Sequence, residues 1–348
     1  MSQNLTDDPI RVPDARREAI ERLAAELVRG QRVALSTHIN ADGDGCGSES
    51  ALAGLLGQMG IEAHIVNPTP WPAMYNYLLG DGPAAVRDRT SDGAGALKGI
   101  DRLIVLDISD VRRLGNLADA VRALKVPPLV IDHHLPGEEP PGPIMVTDVT
   151  ACATGELIYD FAATLGLTIT AEIARALYTA ILTDTGGFRF SNTSPRCHAI
   201  ASRLLAAGVD PEEMYRRIYA SVPRGRLGLL RDALASLGVD DANGIAWVTV
   251  AAGALEQYGV TSEDLDGIAE YPRSLVGTRL ALLFRDLGHG KVKISFRSVR
   301  GVDVNALAKL FGGGGHARAA GALVSGTVDE VRERVLIAAR AMMTAGTP

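Results

Sequence analysis

His38, Asp42 and Asp44 fall within Ser36-Thr-His-Ile-Asn-Ala-Asp-Gly-Asp-Gly-Cys-Gly-Ser48. There an apolar run, Arg32–Leu35, gives way to a helical pattern from Glu49 to Leu56. A lone Asp at such a junction would read as a helix cap. Two carboxylates and an imidazole in seven residues read differently, because acids packed this closely repel one another unless a cation lies between them. Gly43, Gly45 and Gly47 let the chain curl so that side chains two and four residues apart converge. Further acids and histidines end later elements: Asp107, Asp132-His133-His134 and Asp184. Four Asp and two His from these positions, with no Cys among them, form a nitrogen–oxygen donor set. Such a set favours Mn²⁺, with Mg²⁺ or Co²⁺ as alternatives, over a thiolate zinc site. The donors are too many for one ion with an open position and suit two ions sharing a carboxylate. Two divalent ions ~3.5–4 Å apart hydrolyse phosphate esters through a bound hydroxide.

These residues need a scaffold that delivers them to one edge. Asp101–Asp107 and Pro128–Asp132 are nearly continuous apolar runs ending in an acid, the pattern of parallel strands buried on both faces. Glu62–Val66 is a further short strand, Leu114–Leu124 fits a crossover helix, and Glu172–Thr183 is a helix that delivers Asp184. The rhythm predicts an α/β fold with a doubly wound parallel sheet, and ligands bind such sheets at the carboxyl ends of the strands. An amphipathic helix, Asp14–Val28, precedes it, and residues 1–12 read as a loose tail. Residues 209–240 read as a helical linker between a domain over 14–208 and a smaller α/β domain over 241–345 with a mixed or antiparallel sheet.

With 348 residues, 47% hydrophobic and 22% charged, the chain has material for about two ordinary globular domains. The net charge of −6 argues against a general nucleic-acid coat or a membrane-surface protein. Three scattered cysteines fit a reducing cytoplasm better than a disulfide framework. No apolar leader and no ~20-residue apolar span is present, so neither secretion nor membrane insertion is expected.

The smaller domain differs in charge. Between Tyr271 and Arg318 nine Lys and Arg face two acids. A solvated face accounts for most of them. Arg297 ends a strand, however, and Gly312-Gly313-Gly314-Gly315-His316 follows a helix, where backbone N–H groups and an imidazole could hold an anion.

Together these motifs resemble the DHH/DHHA1 phosphoesterase family, over residues 20–345. They are His38-x-x-x-Asp42-x-Asp44, Leu106-Asp107, Asp132-His133-His134, Thr183-Asp184-Thr185-Gly186 and Gly313-Gly314-Gly315-His316-Ala-Arg-Ala-Ala-Gly321. Ala41 stands where that family usually has proline, a change of loop stiffness more than of ligation. The layout is most similar to the short oligoribonuclease/pAp phosphatase enzymes. The resemblance implies that His38, Asp42 and Asp107 hold one Mn²⁺ and that Asp44, Asp107, His133 and Asp184 hold the other. It further implies that His134 touches the scissile phosphate, that Asp132 orients the histidines, and that Arg297, Asn305, Gly313, Gly314, Gly315 and His316 bind substrate. The implied substrates are short oligoribonucleotides, including pGpG-type dinucleotides, and pAp, with cyclic dinucleotides as an alternative. A homodimer is also implied.

Other readings remain. A manganese pyrophosphatase would share the first domain but not the Gly313–His316 element. A long-strand exonuclease of the RecJ type would bring more nucleic-acid-binding modules and a broad basic track. A nucleotide-sensing module with a decayed site would have lost a ligand, and none of the six is missing. A dinucleotide-cofactor loop would not place Asp42 and Asp44 beside a pyrophosphate.

Overall fold

The apolar runs that end in acids are parallel strands buried on both faces. Their sheet comprises β1 (Arg32–Ser36), β2 (Glu62–Ile65), β3 (Arg87–Asp88), β4 (Arg102–Leu106), β5 (Leu129–Asp132) and β6 (Ile144–Thr147). Its order is β3-β2-β1-β4-β5-β6, parallel throughout. The strand order reverses between β1 and β4, so the chain leaves these two neighbours in opposite directions and a crevice opens beyond their carboxyl ends. This computed structural model describes residues 8–80, 86–265, 267–299 and 301–345, so residues 1–7 of the expected loose tail lie outside the described residues.

The helices of this part are α1 (Asp14–Ala24), α2 (Gly43–Gln58), α3 (Ala118–Arg122), α4 (Thr154–Leu165), α5 (Ala171–Asp184), α6 (Pro195–Ala206) and α7 (Pro211–Tyr219). Helix α2 begins six residues before the expected Glu49. Gly43, Gly45 and Gly47 therefore belong to its first turns, with no positive φ, and their role is room rather than curl. A Cβ on Gly47 would stand 2.5 Å from the Ala176 carbonyl oxygen of α5, and one on Gly43 2.4 Å from the Thr183 side chain. The absence of side chains there lets α2 lie directly against α5. The expected crossover helix over Leu114–Leu124 is shorter: a 3₁₀ segment, Val111–Leu117, kinks at Gly115 (φ 51°) before α3. Cys46, Cys152 and Cys197 are buried free thiols.

The chain divides into two compact units, Met1–Ala220 and Ser221–Pro348. Of the two helices in the expected linker, α7 packs against α5 in the first unit, whereas α8 (Arg224–Ala235) packs against the second unit's sheet. That sheet holds β7 (Gly238–Asp240), β8 (Ile245–Val250), β9 (Leu280–Asp286), β10 (Lys291–Ser298), β11 (Gly314–His316) and β12 (Ala319–Ser325). The order is β11-β12-β10-β9-β8-β7, mixed because β8 runs parallel to β9 while the other pairs are antiparallel. Helices α9 (Ala254–Tyr258), α10 (Glu270–Arg273), α11 (Val304–Lys309) and α12 (Val328–Ala345) complete the unit. Its core joins β9, β10 and β12 to α11 and α12 through Phe284, Ile294, Phe296, Leu307 and Val335. Among the described residues no helix is long and apolar enough to cross a membrane.

Candidate metal centre

Each strand at the reversal point hands its first polar residues to the same crevice. Asp42 is the N-cap of α2: one carboxylate oxygen accepts from the Asp44 and Gly45 amides (3.0 and 3.1 Å), and the other lies 3.6 Å from His38 Nε2. Capping and clustering are thus carried by one side chain. His38 Nε2 also stands 3.3 Å from Asp107 Oδ2. Asp107 follows β4 directly, with φ 62°, and this left-handed turn is sparsely populated by non-glycine residues. The Asp107 carboxylate accepts from Thr154 Oγ1 at 3.0 Å.

After β5, His133 Nε2 lies 3.6 Å from Asp44, 3.7 Å from Asp107 and 3.7 Å from Asp184 at the end of α5. Candidate donor atoms lie within 4.8 Å of one another in three sets: His38/Asp42/Asp107, Asp44/His133/Asp184 and Asp107/His133/His134. His134 Nδ1 lies 2.7 Å from Asp132 Oδ1 and 3.6 Å from Asp107. Asp132 therefore braces His134, while the Nδ1 of His133 meets the Ala151 carbonyl instead, at 3.2 Å.

The fit to divalent cations can be tested on the donors themselves. His38 Nδ1 donates to the Ile39 carbonyl (2.9 Å), and His133 does likewise to Ala151. Both Nε2 atoms are thereby turned toward carboxylates, buried and without a hydrogen-bond partner. A metal-bound imidazole is held in this way. Burial, then the charges of Asp107, Asp184 and Asp42, push Asp44 well above the usual carboxylate range. Burial also pushes Asp184 up to about 6, with His133 working the other way. Burial opposes charge on His38, yet Asp107 and Asp42 hold its pKa up at about 10. The cluster is short of positive charge, and oxygen and imidazole donors suit hard-to-borderline divalent ions.

Several contributors to the site were not singled out in the chain. The amides of Thr154 and Gly155, at the start of α4, donate to Asp44 at 2.7 and 3.0 Å, and Ser48 Oγ adds a bond at 3.2 Å. Asn192 Nδ2 donates to Asp184 Oδ2 at 3.0 Å. The small residues preceding the apolar run of α4 were the available signal for Thr154 and Gly155; nothing local marked Asn192.

In the second unit, Arg297 on β10 lines a pocket of about 140 Å³ with Arg285, Lys293, Ser295 and Glu270. Its Nε is 3.8 Å from Glu270 Oε1. Asn305 lies on α11, and its buried Oδ1 has no hydrogen-bond partner. The glycine run is largely exposed, but it is not all turn. Gly314, Gly315 and His316 form the edge strand β11, paired with β12. A Cβ on Gly313 would meet the Gly321 carbonyl oxygen at 2.1 Å, so glycine is needed there for close strand packing.

Residues 32–181 match the DHH family, N-terminal domain, and residues 245–344 match the DHHA1 domain. The chain is 33% identical over 328 residues to the bifunctional oligoribonuclease and PAP phosphatase NrnA of Thermus thermophilus, covering 93% of this chain and 94% of that one. It is 26% identical over 316 residues to the Bacillus subtilis protein of the same name, covering 87% and 93%. The fold superimposes with a TM-score of 0.85 on the crystal structure of an exopolyphosphatase-related protein from Bacteroides fragilis, at 25% identity over 94% of this chain and 98% of that one. With both domains matched in order, and the acids and histidines gathered at the reversal point of the parallel sheet, the chain belongs to the DHH family of phosphoesterases.

Proposed function

We propose that this protein hydrolyses short oligoribonucleotides to mononucleotides, and pAp to AMP, using two Mn²⁺ ions. The observation that carries this reading is the pair of donor sets, His38/Asp42/Asp107 and Asp44/His133/Asp184, placed side by side. The first set would hold one ion and the second the other, with Asp107 shared. Such ions supply Lewis-acid polarisation of the phosphoryl oxygens and a hydroxide nucleophile at neutral pH.

The chain's own groups would do the rest. His134 is held by Asp132 through Nδ1, and although burial opposes charge, Asp132 and Asp107 raise its pKa. It is thereby suited to keep a proton on Nε2 and to donate it to a phosphoryl oxygen of the substrate. The Thr154 and Gly155 amides fix Asp44 without adding negative charge. Arg297, Asn305 and the Gly313–His316 segment would hold the base or terminal phosphate of the substrate, on the basic stretch of the second unit. The oligoribonuclease and PAP phosphatase activities for which the Thermus and Bacillus relatives are named support the substrate class.

The test is a hydrolysis panel on one metal-free preparation, reconstituted with Mn²⁺. It compares 5′-phosphorylated dinucleotides, 24-mer RNA, pAp, cyclic di-AMP and pyrophosphate. Dinucleotides and pAp should be turned over fastest, and only with added cation. Preference for pyrophosphate or for the long RNA would overturn the assignment.

A further inference from the structure

Behind the metal centre lies a buried ion cluster that no step above uses. Arg16 of α1 and Arg196 of α6 both reach Glu156 Oε1, at 2.8 and 3.1 Å, and both also engage Asp160. Asp148 pairs with Arg16 at 2.6 Å. Glu156 is 1% exposed. Both arginines lie outside the two matched segments, 32–181 and 245–344.

The second carboxylate oxygen of Glu156 accepts from the Cys152 amide at 3.0 Å. That amide N–H belongs to the same peptide group as the Ala151 carbonyl, which accepts from His133 Nδ1 at 3.2 Å. Hydrogen bonds in series polarise one another, so a carboxylate on the N–H end strengthens the carbonyl as an acceptor. The next carbonyl, Cys152 O, accepts from Asn192 Nδ2 at 2.8 Å. The same nitrogen lies 3.0 Å from Asp184 Oδ2. The backbone around Cys152 is therefore tied at once to His133, to Asp184 and to the ion cluster. The Nδ1 of His38 instead meets the carbonyl of its own chain neighbour, Ile39.

We propose that Glu156 and Asn192 are positioning residues that act through the backbone of residues 151–152 to hold His133 and Asp184 as ligands of one cation subsite, without governing the other. This rests on the two-ion reading above. In carboxylate–histidine–metal arrangements the outer partner fixes the ring and its tautomer, and its loss typically costs ~10–100-fold in metal affinity. Here a peptide group is interposed between the carboxylate and the imidazole.

The test is titration of the metal-free full-length protein with Mn²⁺, followed calorimetrically and by the Mn²⁺ paramagnetic resonance signal. The wild type should show two classes of bound ion. Glu156→Gln and Asn192→Ala should each weaken one class by ~10-fold or more and leave the other nearly unchanged. Asp160→Asn, which cuts the same ion cluster without touching the 151–152 backbone, should leave both classes as in the wild type. Glu156→Gln leaves two guanidinium groups facing the two carboxylates of Asp148 and Asp160. Should it nevertheless fail to fold, Asn192→Ala, at a half-buried loop position, decides alone. Wild-type affinities in the Asn192 variant, equal weakening of both classes, or an Asp160→Asn effect matching that of Glu156→Gln would overturn the proposal. Absence of Mn²⁺ binding by the wild type itself would overturn both this proposal and the assigned function.

Discussion

Asp107→Asn is the substitution that most directly tests whether one carboxylate serves both cation subsites. The position turns through φ 62°, which asparagine tolerates almost as well as aspartate, so the backbone should survive. Without cations, the substitution removes repulsion toward Asp44 and attraction toward His38 together. Each interaction is about 4 kcal/mol at 4 Å in an effective dielectric of 20, so the two largely cancel and the metal-free melting temperature should move by only a few degrees. The cation-induced shift behaves differently. An ion present at 100 times its Kd stabilises the folded state by about 2.7 kcal/mol. The first unit ends at Ala220, and in a domain of that size each kcal/mol raises Tm by about 2–4 °C. Two ions should therefore raise the wild-type melting temperature by roughly 10–20 °C. Asp107→Asn should abolish nearly all of this, whereas Asp184→Asn, at a position in one donor set only, should abolish about half. Scanning fluorimetry with and without Mn²⁺ on the three proteins is sufficient. An Asp107→Asn protein that keeps the wild-type shift, or an Asp184→Asn protein that loses as much as Asp107→Asn, would refute the shared-carboxylate arrangement.

Three further outcomes are expected. His134→Gln should lower kcat by ~10²–10⁴-fold on every substrate while leaving Mn²⁺ affinity unchanged, because its imidazole is offered to the phosphoryl group rather than to an ion; steady-state kinetics beside a metal titration separates the two. Arg297→Ala should raise KM for a 5′-phosphorylated dinucleotide by about 10-fold or more and leave turnover of bis(p-nitrophenyl) phosphate intact; equal losses on both would count against a purely substrate-holding role. Buried Glu49 is pushed up to about 8, chiefly by burial, with the bond from Asn67 opposing. An acid raised in the folded state binds more protons there than when unfolded, so it erodes stability as pH rises from about 4.5 to about 8. Relative to the wild type, Glu49→Gln should therefore gain about 1.4 kcal/mol per pH unit across that window, measured by urea unfolding at pH 5, 6, 7 and 8, and a flat difference would refute it.

Much of the fold is legible in the chain because a parallel strand buried on both faces writes itself as an apolar run. The run closes where the first polar residue meets the crevice, which is how Asp107 and Asp132 mark the ends of β4 and β5. Helix starts are less legible. Glycine is a poor helix former, so Gly43, Gly45 and Gly47 hide the first turns of α2, although their lack of side chains is what lets α5 approach. Gly312–Gly315 is hidden in the same manner: its composition suggests backbone N–H groups open to an anion, yet part of it is an edge strand paired with β12. The brace residues are the least legible. Asn192 and Glu156 act on backbone groups distant in sequence or across a helix start, and no periodicity records such pairings.

The placement of the acids along their helices argues for a bound cation from a direction independent of their spacing. Asp42 and Asp44 sit at the amino end of α2, and Asp44 also receives the first amides of α4, so two helix dipoles favour their charge. Asp184 is the last residue of α5, at the negative end of that helix, where a carboxylate is disfavoured. Its partners sharpen the difficulty, since Asp107 and Asp42 add negative charge against the imidazoles and Asn192. An acid that served only the fold would gain nothing from that position, and a neutral asparagine would make the same bond to a neighbouring donor. A carboxylate at a helix C-terminus that faces an imidazole and a second carboxylate held by amides is stabilised in its charged form by positive charge among them. The fold therefore supplies amide dipoles for one side of the centre and leaves the other side to be neutralised by what binds there.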